Sequence, residues 1–176
     1  KIKHKSKTCF IENFLNDSGI FYLHYMCYPG SATLLPIQKL FNLVDSSIDE
    51  QSSKSVEIAK SLFDDLNSAG AFVDNPKIDS IIKTLNQSSE YLAHEFLTDF
   101  WNPLYSVDVH KMVYENTKTT FLGSANIVEN IENISIPAKL QEIIKNIKAP
   151  DLKEYLKDLA RNSKQRVDIF QKNPQM

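Results

Sequence analysis

Apolar residues recur along most of this chain at the three-to-four-residue spacing of a helix face, and a few short stretches break that rhythm. Cys9, Phe10, Phe14 and Leu15 predict a helix over Ser6 to Asn16, and Asn16-Asp17-Ser18-Gly19 reads as its stop and turn. Ile20 to Cys27 is aromatic and β-favouring, bounded by Gly19 and Pro29-Gly30, and predicts a buried strand. After Pro29-Gly30-Ser31 the helical period takes over. Leu34, Ile37, Phe41 and Val44 form one stripe, with Pro36 near the first turn. Asp45 to Ser55 reads as a polar loop. Val56, Ala59, Leu62, Phe63 and Leu66 form a second stripe that closes near Gly70. Asp74-Asn75-Pro76 opens a helix with Ile78, Ile81, Ile82 and Leu85 inward.

Glu90 to Thr98 continues as a short helix into the aromatic run Phe100-Trp101-Asn102-Pro103-Leu104-Tyr105. Ser106 reads as the N-cap of a helix to about Asn116, with Val109, Met112 and Val113 buried. Thr119 to Leu122 predicts a short strand ending at Gly123. Two more helices follow the connection Ile127 to Ile134. The first starts at Ser135 and Pro137. The second starts at Pro150-Asp151, where Asp151 and Glu154 have capping-box spacing. Leu140, Ile143, Ile144 and Ile147 mark the apolar face of one helix, and Leu152, Tyr155, Leu156 and Leu159 that of the other. Arg166 to Gln171 alternates as a strand and is expected to belong to whatever follows. The fold class expected is mainly α, a multi-helix domain with a few short strands. It is preceded by an orphan helix–strand from a truncated α/β domain, since a lone strand cannot satisfy its own backbone groups.

Composition narrows the function classes. Of 176 residues, 42% are hydrophobic, enough for a core without staples. The formal net charge of −2 offers no field to gather nucleic acid or an anionic membrane, so neither is expected as a partner. The basic start, Lys1 to Lys7, reads as a solvated edge. Cys9 and Cys27 have no zinc-type spacing and are expected as reduced, buried thiols of a cytoplasmic protein. The longest apolar stretch, Ile20 to Tyr28, is far too short to cross a bilayer. With only four glycines, Gly19, Gly30, Gly70 and Gly123, the chain has no GxGxxG or P-loop to cradle a nucleotide.

Candidate chemistry is sparse. His94-Glu95 begins a zinc-protease pattern, but position 98 is Thr98, so two histidines cannot share a metal across one helical turn. No metal is expected, and a metal-dependent activity built on His94, Glu95 and His110 is the weakest alternative. A buried, hydrogen-bonded pair tying a helix to its loop is the favoured role for His94 and Glu95. Trp101, Pro103 and Tyr105 are expected to form a loop that shapes a contact surface. His24 is expected as a satisfied core histidine, and no catalytic triad or nucleophile elbow is present.

Three stretches together resemble one family. Tyr22-Leu23-His24-Tyr25-Met26-Cys27-Tyr28-Pro29-Gly30 is similar to its strand-to-linker motif, Tyr-x-x-Tyr-Asn running to Pro-Gly-Trp. Tyr91-Leu92-Ala93-His94-Glu95-Phe96-Leu97, with Asn102-Pro103-Leu104-Tyr105, resembles its Tyr-Leu-x-His-Glu-x-Leu signature and Pro-x-Tyr loop. Phe121-Leu122-Gly123-Ser124-Ala125 resembles its Tyr-Leu-Gly-x-Ala. The family is the predicted methyltransferase regulatory domain, which follows a class I S-adenosylmethionine-dependent methyltransferase domain in bacterial proteins, including rickettsial-type protein-lysine methyltransferases. The chain departs from the pattern at Met26, where the family has Asn, and at Ser31, where it has Trp.

The resemblance implies residues 1–29 as the last helix and strand of a methyltransferase domain and residues 30–176 as the helical regulatory domain. Tyr25 enters as a candidate residue through the motif it shares. The implied role is regulation of the methyltransferase or recruitment of a protein substrate, without catalysis. The implied partner is a methyltransferase domain, in cis or in trans. S-adenosylmethionine is then expected in the parent enzyme and not in this chain. A free-standing helical interaction module is the alternative.

Overall fold

A computed structural model describes residues 15–174. The expected first helix and Cys9 therefore fall outside the described residues, apart from Leu15 and Asn16, which lead into the turn. The chain forms two compact units. One comprises the residues up to Ser31 and those from Pro103 onward, and the other is Ala32–Asn102.

Ala32–Asn102 is helical. Helix α1 spans Leu35–Ser47, with Pro36 in its first turn, where a missing N–H costs nothing. Helix α2 is Ser52–Ser68, so only a few residues of the expected loop remain outside helices. Gly70, at φ 85°, provides the left-handed turn beyond it. Helix α3, Ile78–Leu85, starts two residues after Pro76, because Asn75 Oδ1 accepts from Lys77 N at 2.9 Å and closes a turn first. Helix α4 is Ser89–Phe96, capped by the Ser88 hydroxyl, which accepts from Tyr91 N. The predicted stripes meet in one core around Phe41, Phe63, Ile81, Leu85, Leu92 and Phe96. Gln38 and Asn42, one turn apart on α1, donate to the carbonyls of Phe96 and Thr98 at the end of α4. These are the acceptors a helix end leaves without partners.

The other unit is a three-stranded antiparallel sheet covered by helices. Strand β1 is Ile20–Met26, β2 is Thr119–Ser124 and β3 is Gln165–Lys172, in the order β1-β3-β2. Two expectations are corrected here. The opening strand is not left unpaired: β1 pairs with β3 from Ile20↔Gln171 to Met26↔Gln165. The last strand does not await a later domain, because β3 is the centre of this sheet. Its two neighbours satisfy both of its edges, which an isolated strand could not do.

Helix α5, Ser106–Thr117, lays Val109 and Val113 on Phe170, beside Phe21, Leu23 and Phe121. A turn of 3₁₀ helix and one short helical turn lead to α6, Ala138–Lys145, and then α7, Pro150–Arg161. Beyond α7, Asn162 turns the chain in a left-handed conformation at φ 52°. The segment Cys27–Ser31 lies along that turn. Cys27 N donates to Lys164 O at 2.9 Å, Gly30 N to Ser163 O at 2.8 Å and Ser31 Oγ to Lys164 O at 2.7 Å. Pro29-Gly30 is thus a packed strap, with a cis Tyr28–Pro29 bond, and Ser31 is buried in a hydrogen-bonded role. The mainly α class holds, with 56% of the described residues helical beside the small sheet.

Candidate functional site

The most concentrated chemistry in the described residues is a buried ionic cluster on the inner face of the sheet. In β3, Arg166, Asp168 and Phe170 alternate onto one side, and all three are buried. The Arg166 side chain is 4% exposed and meets three carboxylates. Its Nε donates to Asp168 Oδ1 at 3.0 Å, Nη1 to Asp158 Oδ1 at 2.7 Å and Nη2 to Glu154 Oε1 at 2.8 Å. Asp168 also accepts the Tyr25 hydroxyl at 2.6 Å and lies 2.8 Å from His110 Nε2, both at Oδ2. Asp158 accepts the Ser106 hydroxyl at 2.5 Å. Lys157 bridges Glu154 to Glu132, and Lys153 adds a second contact to Glu132. Phe121 stacks on His110 at 4.0 Å and lies under the Arg166 guanidinium. The cluster ties β1, α5, α7, β2 and β3 into one unit.

The electrostatics fix the protonation states. Burial works against the Asp168 carboxylate, but the bonds from His110 and Arg166, the Arg166 charge and the Tyr25 hydroxyl overcome it and hold its pKa low. Glu154 is likewise kept ionised against its burial by Arg166 and then Lys157. Burial, reinforced by the Asp168 charge, raises the Tyr25 phenol, so it remains a donor. Burial, with the Asp158 charge next, pushes the Cys27 thiol up to about 12. It is a free, buried thiol that donates to Ser163 O. Every carboxylate here is occupied, and thiol and phenol are both held protonated. The arrangement braces the unit.

Replacing Tyr25 with Phe keeps the ring and removes one donor to a charged acceptor. Urea unfolding should show a loss of about 1.5 to 3 kcal/mol, and an unchanged midpoint would remove Tyr25 from the brace.

The structure separates the candidates read from sequence. Tyr25 is in the cluster. His94 is exposed and Glu95 half-buried, and neither side chain has a hydrogen-bond partner among the described residues. The expected buried pair does not form, because α4 turns Leu92 and Phe96 inward and leaves His94 on the opposite face. His110 is committed to Asp168, and among the described residues no group of three or more His, Cys, Asp or Glu is placed to hold a metal. Trp101 packs against Phe96 with tilted rings, 5.3 Å between centroids, in the helical unit. In the sheet unit Pro103 is buried, and Tyr105 stacks on Tyr28 at 4.7 Å and meets Tyr155 edge-on at 5.9 Å. His24 is exposed, near Gln165 on the outer face of the sheet.

Other local expectations are also revised. Tyr105, not Ser106, is the N-cap of α5, which frees the Ser106 hydroxyl for Asp158. Glu154 turns to Arg166 and Lys157 in place of a capping box. The cluster's outer side opens into a polar cleft of about 260 Å³ lined by Ser124, Asn130, Glu154, Lys157, Arg161 and Arg166.

The glycines are used internally. A Cβ at Gly30 would run into the backbone oxygens of Asn162 and Ser163, one at Gly123 would meet Asn130 Oδ1, and one at Gly19 would meet Asn16 O and the Leu15 side chain. These close approaches are to the protein's own atoms. No helix among the described residues is long and apolar enough to cross a membrane.

Known proteins share this arrangement. The chain overlays PKMT2 from Rickettsia typhi, solved in complex with AdoHcy, with a TM-score of 0.72 at 19% identity, over 94% of this chain and 32% of that one. A second PKMT2 structure from the same organism gives 0.67 at 17% identity. Both likenesses are of fold. The uncharacterized protein sll1526 of Synechocystis is 27% identical over 164 residues, 92% of this chain and 32% of that protein. The chain thus spans about a third of the length of each relative. The model of one family matches residues 88–172, from the cap of α4 to the end of β3. That stretch contains the His94-Glu95 and Pro103-x-Tyr105 signature, and the model it matches is that of the predicted methyltransferase regulatory domain.

Proposed function

We propose that this chain is the non-catalytic, regulatory or substrate-recruiting part of a larger S-adenosylmethionine-dependent protein methyltransferase, acting in the bacterial cytoplasm. The observation that carries the reading is the agreement in fold with a methyltransferase over nearly all of this chain but only about a third of that enzyme. A class I catalytic domain would occupy length beyond this third. Residues 1–29 would be the segment that leaves that domain, and residues 30–176 the companion. The pairing of β1 with β3 would then anchor the leaving segment in the companion's own sheet.

The glycines of the described residues support placing the cofactor outside this chain. A class I domain brings backbone close to its cofactor through a glycine-rich turn. Here Gly19, Gly30 and Gly123 are filled by internal contacts and Gly70 serves a helix-end turn. The ionic cluster supports the same reading, since it is built as a brace.

The test compares the product of the gene's entire open reading frame with a version lacking residues 30–176. Both should bind S-adenosylmethionine, and only the entire product should methylate protein. An entire product without cofactor binding would favour a free-standing interaction module. A folded shortened product that no longer binds the cofactor would place part of that site in this chain.

A further inference from the structure

The sheet has two outer edges, and the chain treats them differently. Strand β2 is blunted. Its register shifts between Phe121 and Gly123, and one side chain closes the main chain of Ser124. Ser124 N donates to Asn130 Oδ1 at 2.8 Å, and Asn130 Nδ2 donates to Ser124 O at 2.7 Å. Strand β1 has no such device. Ile20–Met26 pairs with β3 in unbroken register and contains no proline, glycine, lysine, arginine or carboxylate. Native sheets protect an open edge with charges, proline or a bulge, because a bare edge invites another strand.

The hydrogen-bond phase of β1 identifies the open groups. Lys172 N donates to Gly19 O at 3.0 Å and Cys27 N to Lys164 O at 2.9 Å. The odd-numbered residues from Gly19 to Cys27 therefore turn their main-chain groups to β3, and Ile20, Tyr22, His24 and Met26 turn theirs away. At the end of this edge Met26 O accepts from Leu104 N at 3.0 Å and Tyr28 N donates to Leu104 O at 3.1 Å, a parallel bridge. The main-chain groups of Ile20, Tyr22 and His24 have no partner among the described residues. Their side chains, on the sheet face away from α5, are open as well: Ile20 is 63% exposed and Tyr22 58%.

We infer that the free edge of β1 is where the sheet continues into the upstream part of the protein, through a strand lying parallel to β1. Parallel neighbours are joined by a crossover of a dozen or more residues, usually a helix. The apolar stripe Cys9, Phe10, Phe14 and Leu15, expected from sequence as a helix face, stands directly before β1. Between them the chain returns tightly, with Gly19 N donating to Asn16 O at 2.8 Å. The relatives have about two thirds of their length outside the part this chain covers. The inference rests on the parent-enzyme reading above, and makes the contact between companion and catalytic domain a shared sheet.

The experiment is residue-resolved amide hydrogen exchange on the product of the entire open reading frame and on the 176-residue chain alone. In the chain alone β3 should protect the amides of Phe21, Leu23 and Tyr25, and those of Ile20, Tyr22 and His24 should exchange at least about a hundredfold faster. In the entire product that alternation should vanish, with all six protected to within about tenfold of one another. Tyr22→Pro removes an N–H that faces away from β3 and so keeps the β1–β3 ladder. In the entire product it should return Ile20 and His24 to fast exchange. Alternation that persists in the entire product would overturn the shared sheet, and cofactor binding by that product would still leave the parent reading standing. Protected edge amides in an entire product that binds no S-adenosylmethionine would do the reverse. Protection that rises with concentration in the chain alone would assign the edge to a second copy and overturn the proposal.

Discussion

Replacing Arg166 with methionine is expected to lower the thermal midpoint by roughly 6 to 20 °C, the equivalent of about 3 to 5 kcal/mol in a chain of this size. Methionine fills much the same length but brings no charge. Glu154, Asp158 and Asp168 would then face one another with their shared cation gone. Leaving buried carboxylates uncompensated costs far more than deleting an exposed ion pair.

The pH dependence identifies the cause. In the native protein the folded pKa of Asp168 lies below its unfolded value, so its contribution is present above about pH 4 and is lost as pH falls through the folded value. Without Arg166 the carboxylates would be raised, and the folded variant would take up protons as pH falls. The stability gap between the two proteins should therefore narrow from pH 7 toward pH 4.5. A gap that stays constant would mean the loss came from packing and not from charge.

Gly30→Ala should be the second most damaging change. The added methyl would overlap Asn162 O and lie 2.6 Å from Ser163 O, both main-chain atoms in a tight turn. Neither can swing aside as a side chain would. The strap Cys27–Ser31 would have to lift, loosening the bonds to Ser163 and Lys164. Overpacking together with these hydrogen bonds suggests a loss of about 3 kcal/mol, or roughly 6 to 12 °C. Gly70→Ala is the control. It meets nothing within 4 Å and carries only the strain of φ 85°, so about 1 kcal/mol is expected. Equal losses at the two sites, measured by differential scanning calorimetry, would show that the strap is not held where the geometry puts it.

Periodicity located most elements because burial in the helical unit is plainly amphipathic. Ile37, Phe41 and Val44, like Val56, Ala59 and Phe63, are both the predicted stripes and the observed core. The brace was hidden because it inverts that rule. In Arg166-Val167-Asp168-Ile169-Phe170 the charged residues share their side with Phe170, and Val167 and Ile169 take the other. In α7 the buried residue is Asp158, while Leu152 and Leu159 are nearly half exposed. Reading polar as outward therefore misses the inward side of α7, and the alternation of β3 does not by itself say which side is buried. One signal was available: Glu154 and Asp158 stand one helical turn apart, close in sequence to an Arg–x–Asp strand, so a charge-matched pair of inward faces could have been drawn. The β1–β3 pairing spans nearly the whole described chain, and no local pattern encodes a contact of that range.

In the proposed function the cofactor is held outside this chain. Calorimetric titration of S-adenosylmethionine, and of S-adenosylhomocysteine, into the 176-residue chain alone addresses it directly. The expected result is no saturable heat with either compound. One-site binding in the micromolar range would contradict the account and place a cofactor pocket within these residues.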